Sequence, residues 1–140
     1  MKSNPEQVSY DCVGTASTPA TLTAAYTGNT KTFLTKYMPN IHLDFKYTPA
    51  VDNAYALVKI EVSNDDGVTF FPLVSISPAT GQVDTYVTPV KFPSSATTGA
   101  AVYSGYFDTT SVATHVKVSV LETTGGAFGT FYCRASFFGN

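Results

Sequence analysis

In the run Ile41-His-Leu-Asp-Phe-Lys-Tyr47 apolar and polar side chains alternate at every step. That period of two builds a strand with one apolar face and does not build an amphipathic helix. The same period recurs where Ala56, Val58, Ile60 and Val62 alternate with Tyr55, Leu57, Lys59 and Glu61, and again in Val116, Val118 and Val120 and in Phe131, Cys133, Ala135 and Phe137. No stretch reads as a helix. Turn signals separate the runs at Thr27-Gly-Asn-Thr30, Asn64-Asp-Asp-Gly67, Ser77-Pro-Ala-Thr-Gly81, Pro93-Ser-Ser-Ala-Thr-Thr-Gly99 and Thr123-Thr-Gly-Gly126. Candidate strands therefore fall at 20–26, 31–37, 40–48, 54–63, 68–76, 83–92, 100–108, 114–122 and 129–138. The fold expected is all-β: a two-sheet antiparallel β-sandwich, jelly-roll-like, with about eight or nine strands. Residues 1–18 have few apolar positions and read as an extended N-terminal arm, leaving 19–140 as the sandwich domain.

The surface of such a sandwich would be unusual in its polarity. Charged residues are 13% of the chain, against about 25% in an average soluble domain, whereas Thr (21) and Ser (12) are abundant. Hydroxyl-bearing faces lose less on dehydration than charged ones, which favours packed interfaces. The alternative is that Thr simply reflects strand propensity. Net charge is −2, and the seven Lys and one Arg stand singly, so no basic stripe offers itself to nucleic acid or an anionic membrane. The N-terminal Met1-Lys-Ser-Asn-Pro-Glu-Gln7 is polar and leads into no apolar targeting core. The expectation is folding in a cytoplasm, with Cys12 and Cys133 as free thiols rather than a bridge.

Candidate chemistry is sparse. Asp65 and Asp66 sit in Asn64-Asp-Asp-Gly67, where Gly supplies positive φ and Asn and Asp bond locally to the backbone, so a turn accounts for all four residues without a metal. His42 and His115 fall on polar strand faces with no nucleophile or orienting group beside them in sequence. Cys133 is in phase with Phe131 and Phe137 and reads as a small core residue. The run Thr123-Thr-Gly-Gly-Ala-Phe-Gly129 lacks the Lys and helix of a phosphate loop and reads as a connection. No catalytic residue, cofactor or metal is expected. Tyr10, Tyr55, Phe71, Tyr86, Tyr103, Tyr132 and Phe138 are instead taken as outward aromatics at an interface, the alternative being a second apolar face of the sandwich.

The stretch Val58-Lys-Ile-Glu-Val-Ser-Asn-Asp-Asp-Gly-Val-Thr-Phe-Phe-Pro-Leu73, followed by Thr114-His-Val-Lys-Val-Ser-Val-Leu-Glu-Thr123 and Gly129-Thr-Phe-Tyr132, resembles the small β-sandwich virion proteins of tailed bacteriophages. Asn64, Asp65 and Gly67 match the turn of those proteins; Phe71, Pro72 and Leu73 match the strand after it; Val116, Lys117, Val118 and Glu122 match a late strand. The resemblance covers roughly residues 54–138 and departs at Asp66, where a second Gly is common, at Phe71, where Trp is frequent, and at Lys117, in place of Arg. It implies a non-enzymatic structural protein in the virion, assembled in the host cytoplasm, as a head decoration (cement) protein or a neck, tail or fibre component. The partners implied are copies of itself and other virion proteins such as the major capsid protein. A carbohydrate-binding or receptor-binding module, with a glycan as ligand, is the alternative.

Overall fold

The computed structural model describes residues 7–36, 38–76, 83–86, 90–92, 101–108 and 113–139. Among them every regular element is a strand except one turn of 3-10 helix at Tyr26–Gly28. In chain order the strands are β1 (Gln7–Val13), β2 (Ala20–Thr21), β3 (Thr30–Leu34), β4 (Asn40–Thr48), β5 (Tyr55–Ser63), β6 (Phe71–Pro72), β7 (Val74–Ile76), β8 (Val83–Tyr86), β9 (Val90–Phe92), β10 (Ala101–Asp108), β11 (His115–Thr123) and β12 (Thr130–Phe138). The predicted turns at Ser77–Gly81 and Pro93–Gly99 lie outside the described residues, as do residues 1–6.

Every pairing is antiparallel. One sheet runs β1-β12-β4-β10 with β2 also on β12; the other runs β3-β11-β5-β6 with β9 also on β5; β7 and β8 form a separate ribbon. The alternation read from the sequence is the alternation of burial. Ile41, Leu43, Phe45 and Tyr47 of β4 and Phe131, Cys133, Ala135 and Phe137 of β12 point inward from the first sheet. Ala56, Val58 and Ile60 of β5 and Val116, Val118 and Val120 of β11 meet them from the second. Rings dominate one layer and β-branched chains the other, a pairing of large with small that fills the space between two sheets. Phe33 of β3 crosses the layer to the rings of Tyr10 (centroids 5.0 Å apart) and Phe137 (6.1 Å).

Residues 7–13 differ from the expectation. They are not an arm but edge strand β1, in register with β12 from Gln7↔Phe138 to Val13↔Cys133. Cys12 and Val13 are buried, and Val8 and Tyr10 pack against the core. The physical reason is a short alternation of Val8, Tyr10 and Cys12 against Ser9 and Asp11, broken by a register shift between Asp11 and Val13. Other predicted strands are shorter than expected. The 20–26 run keeps two strand residues before Thr23, whose hydroxyl donates to Ala25 O (2.9 Å), turns the chain. The 68–76 run divides at Pro72, which has no N–H for a ladder, and Leu73 N–H donates to Ile60 O instead (3.1 Å).

Among the described residues one carboxylate lies inside the layer. Glu122 of β11 is 1% exposed; it accepts from the Tyr47 hydroxyl on the opposite sheet and from Gly129 N–H (2.7 Å). Burial, and after it the bond to Glu122, raises the pKa of the Tyr47 phenol, so it stays a donor. Gly129 is required there, since a Cβ would come within 2.3 Å of Thr48 O.

Replacing Glu122 with Ala leaves two buried donors without an acceptor and is expected to lower unfolding free energy by about 3 kcal/mol; Tyr47→Phe, which removes one donor, is expected to cost about 2 kcal/mol. Urea denaturation of both variants checks the order. Deleting residues 2–13 removes a core strand and is expected to cost more than about 4 kcal/mol. A truncated chain with an unchanged urea midpoint would show that β1 is dispensable.

Candidate functional site

The outer face of the first sheet carries a row of polar side chains across four strands. The register places Asp11 of β1, Arg134 of β12, Asp44 of β4 and Ser104 of β10 in one transverse row. Arg134 Nη2 lies 3.6 Å from Asp44 Oδ2, and the Ser104 hydroxyl donates to Asp44 Oδ1 (2.8 Å). His42 Nε2 is 2.5 Å from Ser104 Oγ. An open depression of about 680 Å³ lies here, with Asp44, Lys46, Val102, Ser104, Tyr132 and Arg134 in its lining. The Tyr132 hydroxyl donates to Asp11 Oδ1 (3.4 Å), and burial, followed by the nearby Asp11 carboxylate, raises its pKa.

His, Ser and Asp together invite comparison with a nucleophilic triad, and the order of the groups decides against it. A nucleophilic serine gives its proton to an imidazole that the carboxylate holds in place. Here serine stands in the middle, bonded to Asp44 and within hydrogen-bond distance of His42, so the carboxylate holds the hydroxyl and not the imidazole. The network orients side chains and ties β10 to β4.

On the second sheet the 64–70 loop folds over the outer face. Asp65 and Val68 close a turn (Val68 N–H to Asp65 O, 3.4 Å) whose central residues, Asp66 (φ 61°) and Gly67 (φ 81°), both have positive φ. That is the signature of the type I′ turn favoured by Asp-Gly. The Asp65 carboxylate accepts from Thr69 N–H (2.8 Å) and the Ser63 hydroxyl (2.7 Å) through Oδ1, and Asp66 N–H donates to Thr114 Oγ1 (3.1 Å). The Asp65 carboxylate and the Asp66 backbone thus serve the turn, as the sequence indicates. His115 lies beneath the turn, with Nδ1 3.0 Å from Thr114 Oγ1. The two histidines thus occupy different sheets. Among the described residues no three His, Cys, Asp or Glu side chains gather as metal ligands. Lys59 (3.5 Å) and Lys117 (3.9 Å) share Glu61, and their ammonium groups lie over the rings of Tyr26 and Phe70.

The same end of this sheet exposes apolar side chains. Val68 (81% exposed), Phe71 (64%) and Leu34 (55%), which pairs with His115, flank the turn. Of the aromatics expected to face outward, Phe71 is thus exposed. Tyr132 and Phe138 are half-buried at the first sheet, and Tyr55 is half-buried under Lys91 Nζ (4.2 Å to its centroid). Tyr10 is a correction: it packs on Phe33 and Phe137 at the core, in phase with Val8 and Cys12. The side chains of Tyr86 and Tyr103 lie outside the described residues. The row of Asp44, Ser104 and Arg134 was not singled out from sequence. Its one sequence signal is the lone Arg, placed on the polar phase of β12.

No family model and no curated protein matches the chain. Solved structures do resemble it. The SPBc2 prophage-derived protein YomS superposes with a TM-score of 0.51 at 11% identity, over 99% of this chain and 97% of that one. The VP2 subviral particle of infectious bursal disease virus gives 0.44 at 10% identity, over 96% of this chain and 33% of that one. Dimeric latent PorU from Porphyromonas gingivalis gives 0.46 at 12% identity, over 97% and 13%. Of the three, the likeness to YomS speaks for the fold, and for the fold alone: it is the same sandwich over nearly the whole of both chains.

The turn makes a pH prediction. Hydrogen bonds from Thr69 N–H, then from the Ser63 hydroxyl, lower the Asp65 pKa from its ordinary 3.8 to about 2. A carboxyl whose folded pKa is depressed stabilises the fold fully above its unfolded value, and loses that contribution as pH falls toward the folded one. The wild-type urea midpoint is therefore expected to drop between about pH 4 and 2 more steeply than that of Asp65→Asn. Parallel curves for the two proteins would exclude Asp65 as a source of acid sensitivity.

Proposed function

We propose that this chain is a non-enzymatic virion structural protein of a tailed phage, serving as a capsid decoration (cement) protein. It would act in many copies, bound through the outer faces of the sandwich to copies of itself and to other virion proteins such as the major capsid protein. The observation that carries this reading is the character of those faces. A chain with 13% charged residues exposes Val68, Phe71 and Leu34 at one end of a sheet and Val102 on the other, and contacts of this kind favour a protein partner. Five of its charged groups are engaged with one another, in Lys59–Glu61–Lys117 and Arg134–Asp44. The sandwich shared with a prophage-derived protein along nearly its full length supports the phage setting.

A second reading, a glycan-binding module of a tail or fibre, has one observation in its favour: Tyr132 borders the depression that also holds Asp44, Ser104 and Arg134. An aromatic ring beside several hydrogen-bonding groups suits a sugar.

Particle occupancy separates the two. Charged substitutions at the exposed apolar positions, Leu34→Lys, Val68→Lys and Phe71→Lys together, are expected to reduce the copies per purified particle at least tenfold while the melting temperature holds. Full occupancy by this variant would defeat the assembly reading at that face. Glycan binding abolished by Tyr132→Ala, with occupancy intact, would favour the second reading.

A further inference from the structure

We propose that β10 is an assembly edge, which pairs antiparallel with the β10 of a second copy of this chain about a two-fold axis at Ser104. The inference deepens the assembly reading above and rests on it for its biological setting, but its physical basis is separate.

Strand edges expose unpaired N–H and C=O groups, and proteins that must stay apart block them with charge, proline, bulges or brevity. The other edges of this molecule carry such devices. β1 has Asp11 and the register shift beside it; β2 and β6 are two residues long, the latter ending in Pro72; β3 contains Lys31 and β9 contains Lys91. In the ribbon, β7 meets β8 through a register shift and β8 contains Asp84. β10 is different. It pairs with β4 along all eight of its residues and, among the described residues, with no strand on its other side. From Ala101 to Phe107 it contains no charge and no proline, and its register with β4 has no shift. Gly105 lies at its middle, and a glycine inside a strand is a place where another backbone can approach.

The partner that fits is a second copy. Antiparallel pairing about Ser104 keeps the outer face continuous, since residues directly opposite share a face only when the register preserves the alternation. Ser104 then meets Ser104, and Val102, which is 73% exposed, meets position 106 of the other chain. The strand's one charge, Asp108, lies four residues from the axis and does not fall opposite its own counterpart. The nearest like charges facing across the axis are the two Asp44 carboxylates, on strands three spacings apart. At ~4.8 Å per spacing they are ~14 Å distant and largely screened at physiological salt. Strand pairing alone buries less than a standard interface, so the expected dissociation constant is roughly micromolar to millimolar, a weak contact suited to reinforcement on a multivalent surface.

Sedimentation velocity of the full chain across that range, with Ser104→Cys and Val102→Cys variants under a copper–phenanthroline oxidant, tests the proposal. Opposed Ser104 positions are ~4.5–5.5 Å apart between Cα atoms, within disulfide reach; the two Val102 positions are offset by four residues along the strands, ~13 Å, and cannot bond. The expected result is concentration-dependent dimerisation, a cross-linked Ser104→Cys dimer on a non-reducing gel, no such dimer from Val102→Cys or wild type, and at least tenfold weaker association for Ser104→Lys, which sets two ammonium groups opposite each other. A wild-type chain that stays monomeric, with Ser104→Cys not cross-linked, overturns the proposal. Cross-linking of Val102→Cys in preference to Ser104→Cys overturns the register, and capture of a different virion protein by Ser104→Cys overturns self-pairing. A monomer that still occupies particles would defeat this inference and leave the virion role standing; a β10 dimer never found in particles would do the reverse.

Discussion

Two apolar rows that can be dried only against each other determine this molecule. The rings of β4 and β12 meet the valines and isoleucine of β5 and β11, and each row leaves water only by covering the other. The strand order follows the same need and makes the fold non-local. The last strand, β12, sits between the first strand and β4, and β11 sits between β3 and β5. Few pairings join sequence neighbours, so chain ends must find each other before much surface is buried, a topology associated with slow folding. The buried Glu122 fits this picture. By accepting from Tyr47 on one sheet and from Gly129 at the connection leaving its own strand, it fixes how β11 passes into β12, which is the crossing from one layer to the other.

Much of this was legible in the sequence, for a reason that also explains what was not. β4, β5, β11 and β12 are each nine residues long, enough for the period to declare itself over most of each strand, and the Asp-Gly turn announces its own geometry. β1 has the same period over too few residues before its register shifts, and its flanking Gly14 and Thr15-Ala-Ser-Thr18 make the whole segment look unstructured. Tyr10 belongs to the core because Val8, Tyr10 and Cys12 share one face of β1, a face that becomes evident only once the strand is known. The polar row of Arg134, Asp44 and Ser104 is hidden for a different reason. Which outward residue of one strand faces which of another depends on register between segments far apart in sequence, and alternation fixes the face of a residue without fixing its neighbour.

The outer faces show how a chain with few charges uses them. Exposed ion pairs contribute little to stability, and Arg134 is about half exposed where it meets Asp44. Their effect is better understood as neutralisation. Two lysines converge on Glu61 and lie over aromatic rings, which leaves the surrounding surface to hydroxyls and apolar groups that are readily desolvated. The thiols take no part in this surface. Burial, and then the neighbouring Cys12, pushes the Cys133 thiol well up, and both cysteines are enclosed, so they fill space between β1 and β12 as small apolar groups and are poor nucleophiles. The two thiols are thus enclosed and five charged groups are paired with one another, while several apolar side chains outside the core are displayed. Such a distribution suits the assembly role proposed above.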